Sequence, residues 1–181
     1  MIDIKQINRS CSRPGVVRGC HAQKGPYCQA KLVEAINTNI IDVITDARPD
    51  SKTFGKSKMY LLSSDKQNML YVPRGFLHAF IVPTNTQSMA YFNYYCDNVY
   101  DKKSEICVNP RDVIVPLIKT IDWNNIKETQ NFIALKFENL NDTNNLNGYI
   151  LSEKDLAGKP LDCFLAEVKT EFETTGKKWY E

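Results

Sequence analysis

Short apolar runs separated by polar turn clusters fill the first two thirds of the chain, a spacing that predicts strands rather than helices. Lys31–Ile36 and Ile40–Thr45 are rich in β-branched residues, and the Asn37-Thr-Asn39 break between them predicts a hairpin. Lys58–Leu62, Met69–Val72, Ala79–Val82 and Met89–Cys96 continue the series. Turn chemistry punctuates it at Arg48-Pro-Asp-Ser51, Ser63-Ser-Asp-Lys66, Pro73-Arg-Gly75 and Pro83-Thr-Asn-Thr86. Many short strands at close spacing predict an all-β sandwich or barrel. The last third differs. Residues 116–148 are polar and Asn-rich, whereas Asp162–Thr170 has helical spacing, with Cys163, Leu165, Ala166 and Val168 as its apolar positions and Asp162 as its cap. One domain over residues 1–181 is expected: a core over about 6–115, an insertion over about 116–148, and a tail over 149–181.

Composition narrows the function classes. The 23 Lys and Arg against 21 Asp and Glu give a formal charge of +2, too balanced for a protein that works by gripping nucleic-acid backbone. No apolar run is long enough to span a bilayer, and the amino terminus lacks the apolar core of a signal peptide, so the default expectation is cytoplasmic, with no membrane partner. Cys11, Cys20, Cys28, Cys96, Cys107 and Cys163 include no Cys-x-x-Cys pair and are expected as reduced thiols, some buried. Only His21 and His78 are available for imidazole chemistry.

Gln6-Ile-Asn-Arg-Ser-Cys-Ser12 followed by Gly15-Val-Val-Arg-Gly-Cys-His21 resembles the opening motif of the dTDP-4-dehydrorhamnose 3,5-epimerase family. Further blocks agree in order: Gln29–Val33, Ile41–Arg48, Ser51–Gly55, Tyr71–Phe80, Tyr94-Tyr-Cys96 with Tyr100 and Glu105, and Ile150–Asp155. The resemblance implies a cupin jelly-roll (double-stranded β-helix) barrel with a short helical C-terminal region, paired as a homodimer. It also implies inversion of stereocentres beside the ketone of a nucleotide-linked 4-keto-6-deoxyhexose, with neither metal nor organic cofactor.

Such chemistry needs a base on one face of the sugar, an acid on the other, and a cation at the enolate oxygen. By resemblance, His21 is the base, an imidazole being the side chain that titrates nearest neutrality. Asp155 orients it, Tyr94 is the acid, and Lys31 stabilises the enolate oxygen. Without the resemblance, His21 reads as a histidine satisfied in the barrel wall, Tyr94 as core packing and Lys31 as a solvated edge charge. Tyr95 adds a register question, because a slip of one residue would turn its hydroxyl inward instead. The spacing to Tyr100 and Glu105 favours Tyr94, with Tyr100 also facing the site. His78 falls near the substrate, supported by Asp42 or Asp46, and Arg18 resembles a diphosphate ligand. Gln6, Asn8 and Ser10 alternate so that their polar groups share one face toward the nucleotide-sugar. Lys154 reads as a phosphate contact or as a plain exposed lysine.

The sequence departs from the family in three places. The preceding strand with its Asp-x-Arg-Gly-x-Phe pattern is absent, His-Gly reads His78-Ala79, and the 116–148 insertion containing Ile121-Asp-Trp123 has no assigned role. Three alternatives stand beside the epimerase. One is a nucleotide-sugar ketoisomerase and another a non-catalytic sugar-nucleotide-binding cupin. The third, a metal-dependent cupin, is disfavoured because no His-x-His pair is present.

Overall fold

The computed structural model describes residues 2–119, 146 and 148–181, so most of the Asn-rich insertion, with Ile121–Trp123 and Asn139–Asn145, lies outside the described residues. Nine strands are defined among them: β1 (Gln6–Ser12), β2 (Val17–Gln23), β3 (Lys31–Ala35), β4 (Ile40–Asp46), β5 (Ser57–Leu62), β6 (Met69–Val72), β7 (Phe76–Ile81), β8 (Ala90–Cys96) and β9 (Glu105–Cys107). They form two antiparallel sheets, ordered β1-β8-β3-β6 and β5-β4-β7-β2-β9, stacked as the cupin-type jelly roll expected from the resemblance.

Two expectations are corrected here. The Lys31–Ile36 and Ile40–Thr45 runs are not a hairpin: β3 pairs with β6 and β8, and β4 with β5 and β7. The Asn37–Asn39 turn carries the chain from one sheet to the other. The reason lies in burial. All seven residues of β4 are buried, which a strand achieves only when both its faces are covered. Ile40 and Ile44 point between the sheets toward Phe80 and Phe92, whereas Ile41 and Val43 pack outward under helices. Those helices are α1 (Pro110–Lys119) and α3 (Leu161–Thr175), with the short α2 (Glu153–Leu156) between them.

The second correction concerns the helices. α1 begins inside the segment read as barrel core, and Pro116 within it obscures the pattern that buries Val113, Ile114 and Ile118. α3 extends to Thr175, and its N-cap is Pro160 rather than Asp162, which sits in the first turn. Its buried stripe is Phe164 and Val168 flanked by Leu161 and Leu165, while Cys163 and Ala166 face solvent. Trp179 closes this outer layer. Its ring meets Phe164 edge-on at 5.6 Å, and its indole N–H donates to the Ala47 carbonyl at 2.8 Å.

The space between the sheets is therefore divided. Phe80 and Phe92, stacked 4.7 Å apart, fill one part with Val33, Leu62, Val72 and Ala90. The remainder is left open, lined by polar as well as apolar side chains.

Candidate active site

That opening is a cavity of about 580 Å³, within the range of sites that take small organic ligands. His21, Lys31, Tyr94 and Asp155 all line it, as do Asn8, Arg18, His78, Tyr100 and Lys154. Gln6 and Ser10 do not. Gln6 donates to Asn8 Oδ1 at 2.8 Å and accepts from the Tyr100 backbone N–H at 2.8 Å, and Ser10 Oγ meets the Tyr94 hydroxyl at 3.3 Å. Both stand behind the lining and hold it in place.

His21 and Arg18 lie three residues apart, so a regular strand would send them to opposite faces. β2 is not regular. Arg18 pairs with Phe80 and His21 with His78, three residues opposite two, and this extra residue turns both side chains into the cavity. Gly19 makes the irregularity possible. A Cβ there would lie 2.6 Å from the Ala79 Cα and from the His78 carbonyl oxygen, on a backbone with φ of 114°.

Asp155 arrives from a distant part of the chain that is fastened at both ends. Ile150 bridges to Gly15 and Val17 beside β2, and Lys159 bridges to Cys107 and Asn109 after β9. Between these ties, Ser152 caps α2 by accepting the Asp155 backbone N–H at 3.0 Å. Gly158 permits the second tie, since a Cβ would meet the Val108–Asn109 peptide at 2.7 Å. The carboxylate, 4% exposed, bonds His21 Nε2 through Oδ1 at 2.7 Å. Burial pushes the Asp155 carboxyl up, but the bond and charge of His21, with the Ser152 contact, outweigh this and leave it below the ordinary value.

Glu105 stands on the other side of the imidazole, its Oε1 3.9 Å from His21 Nδ1. Its Oε2 accepts from Lys154 Nζ at 2.6 Å and from the Tyr100 hydroxyl at 3.1 Å. Burial raises the Glu105 pKa, and the Lys154 bond and the His21 charge more than reverse that. In the sequence Glu105 stands out only by its spacing from Tyr94 and Tyr100. Its place three residues before Val108, in a strand of three residues, gave no burial pattern to mark it as lining.

The facing sheet supplies the other two groups. Lys31 opens β3, and desolvation lowers its pKa below the lysine range. Among the described residues its side chain has no ion pair or hydrogen bond, which leaves its ammonium available to a ligand. Tyr94 on β8 is packed edge-on against Phe92 at 4.8 Å, and burial pushes its phenol well above the ordinary value. The register question resolves in its favour: Tyr95 lies on the outer face and donates to Glu34 at 2.5 Å. His78 and Asp42 form a second pair, 2.8 Å apart and both buried, His78 at the cavity lining and Asp42 behind it. Asp46 is not the partner of His78. It is held by Arg48, Ser51 and Thr53 in the loop after β4.

Fold and site together define a cupin-type fold in which an imidazole on one sheet with a carboxylate from α2, and a phenol and an ammonium on the other sheet, line one cavity. A family model described as dTDP-4-dehydrorhamnose 3,5-epimerase matches residues 1–162, and the chain belongs to that family. The dTDP-4-dehydrorhamnose 3,5-epimerase of Escherichia coli (strain K12) is 38% identical over 124 residues, covering 67% of this chain and 62% of that protein. The chain thus spans about three fifths of that relative's length. Among solved structures, the dTDP-4-dehydrorhamnose 3,5-epimerase of Elizabethkingia anophelis NUHP1 aligns with a TM-score of 0.66 at 37% identity, covering 89% of this chain and 74% of that one. The dTDP-6-deoxy-D-glucose-3,5-epimerase of Legionella pneumophila Philadelphia 1, solved in complex with dTDP-4-keto-L-rhamnose, gives 0.66 at 32% identity, covering 91% and 73%.

Proposed function

We propose that this single cupin domain inverts C3, C5 or both of a nucleotide-linked 4-keto-6-deoxyhexose, in deoxysugar biosynthesis. The observation that carries the reading is the division of base and acid between the two sheets that face each other across one cavity. His21, its Nε2 engaged by Asp155, takes the proton from the carbon beside the ketone at Nδ1. The C–H electron pair moves into the carbonyl, and the enolate oxygen is stabilised by the Lys31 ammonium in a desolvated setting. Tyr94, kept protonated by burial, returns a proton from the opposite face. Substrate and product stand at the same oxidation level, so the sequence of steps calls for no electron carrier.

The diphosphate falls to Arg18, whose Nε and one terminal nitrogen are spent on Ser12 Oγ and the Cys11 carbonyl, which fixes the fork and leaves further N–H donors free. Lys154 and Tyr100 frame the mouth. The partner protein is a second copy of the chain. Across the outer face of the four-stranded sheet, Ile7, Tyr95, Leu32 and Tyr71 are cross-strand neighbours, and Ile7 and Tyr71 are 63% and 53% exposed. Apolar side chains in a continuous row favour covering by another protein surface. No helix among the described residues is long and apolar enough to cross a membrane.

NMR of the protein with dTDP-4-keto-6-deoxyglucose in deuterated water tests the reading. Deuterium at C3 and C5 with an inverted product is expected. Deuterium at one carbon narrows the specificity, a moved ketone identifies a ketoisomerase, and binding without exchange overturns the catalytic reading.

A further inference from the structure

Cys107 lies at the end of β9, directly opposite His21 in the strand pairing. Its Sγ is 3.8 Å from Asp155 Oδ1, the same oxygen that binds His21 Nε2 at 2.7 Å. The ligand atoms of His21, Cys107 and Asp155 all fall within 4.8 Å of one another. One imidazole nitrogen, one thiol and one carboxylate is a donor set that suits zinc and other borderline-soft divalent ions. Tetrahedral zinc asks for about 3.3–3.5 Å between such atoms, so the His–Asp pair opens by about 0.6 Å, and the thiol closes by about 0.3 Å on the carboxylate and by up to about 1.3 Å on the imidazole.

We propose that His21, Cys107 and Asp155 form an inhibitory site for a zinc-like divalent ion, with the fourth position open toward the sugar cavity. The inference rests on the reading of His21 as the base, because a metal on Nε2 and on Asp155 removes the pair from proton transfer. The carboxylates of Asp155 and Glu105 flank His21, and the Lys154 ammonium is ion-paired with Glu105, which leaves the Asp155 carboxylate beside the thiol to attract a cation. The chemistry balances simply. The thiol Sγ–H proton leaves to solvent as the Sγ–metal bond forms, the Nε2 proton of the neutral imidazole moves by way of solvent to Nδ1 as the Nε2–metal bond forms, and no electron is transferred. The neighbours also separate this site from a stray thiol. Cys11 and Cys163 are exposed, and neither belongs to a His/Asp/Glu cluster among the described residues.

Cobalt(II) is the probe, because a cobalt–thiolate bond absorbs in the near ultraviolet whereas cobalt on imidazole and carboxylate alone does not. The whole protein titrated with cobalt chloride should develop that band at one equivalent and lose it to added zinc. Cys107→Ser should abolish the band. A band that persists in Cys107→Ser, or none in the unaltered protein, overturns the proposal. A second measurement needs no variant: at ten times the dissociation constant, zinc should slow alkylation of Cys107 roughly tenfold, read by peptide mapping, with Cys11 and Cys163 unaffected. Unchanged Cys107 alkylation overturns it. Zinc should also arrest deuterium exchange reversibly, with chelator restoring it. A cobalt–Cys107 band in a protein that exchanges no sugar proton sinks the epimerase reading and leaves the metal site standing. Exchange without the band does the reverse.

Discussion

At the site, His21 and Tyr94 each have neighbours that suit the roles proposed for them. The His21 ring is fixed from one edge by Asp155 and faced by Glu105 from the other, and both carboxylates are held below their ordinary pKa. Both consequently stay ionised throughout the neutral range. His21→Ala should reduce deuterium exchange by about 10²–10⁴-fold while sparing dTDP binding, measured by NMR exchange and calorimetry. Retained exchange would remove it as the base. Tyr94→Phe should separate the two halves of the reaction: proton loss to solvent continues while inverted product falls by a similar factor. Equal loss of both would point to a packing role, through the edge-on contact with Phe92.

Among the elements, β2 and β4 carry the argument. The irregularity in β2 depends on Gly19, whose hypothetical Cβ meets backbone atoms as well as the Ala79 side chain. Gly19→Ala should destabilise the fold by roughly 2–5 kcal/mol in denaturant unfolding, and Ala79→Gly should restore little of it, because two of the three obstructing atoms are backbone. At the end of β4, burial raises the Asp46 carboxyl, but bonds from Arg48, Ser51 and Thr53 bring it down to about 2. A depressed carboxylate stabilises the fold above its unfolded pKa, near 3.9, and loses that contribution as pH falls toward the folded value. Asp46→Asn should therefore cost roughly 2 kcal/mol at pH 7, and the difference between variant and parent should shrink between about pH 4 and pH 2. A difference independent of pH would mean that the loss is packing alone.

For the whole molecule, the row Ile7–Tyr95–Leu32–Tyr71 decides whether the proposed dimer uses the outer face of the four-stranded sheet. Replacing Ile7 and Tyr71 together with Glu should weaken the dimer at least about 30-fold in sedimentation equilibrium, since two buried charges would oppose association. An unchanged mass would place the contact elsewhere. The same molecule-wide view explains why β4 and β7 of the five-stranded sheet are apolar on the outer face, around Ile41, Val43, Leu77, Ala79 and Ile81, while the inner face carries the polar cavity lining: α1, α3 and Trp179 cover that outside.

Strand existence was legible from local chemistry, because β-branched and aromatic runs between turn residues bury on a pleated surface wherever they pair. Met69–Val72 as β6 is the clearest case, matched end to end. His21, Lys31, Tyr94 and Asp155 were legible only as motif positions; nothing in their spacing puts them in one cavity. Local pattern also failed at β3 and β4, where adjacency along the chain suggested a hairpin and burial on both faces of β4 placed them in different sheets. Tertiary structure alone brought Asp155 to His21 across 134 residues and set Cys107 beside both. The reason is that a sequence encodes which faces want burial, whereas the meeting of distant polar groups is fixed by the closure of one sheet over another.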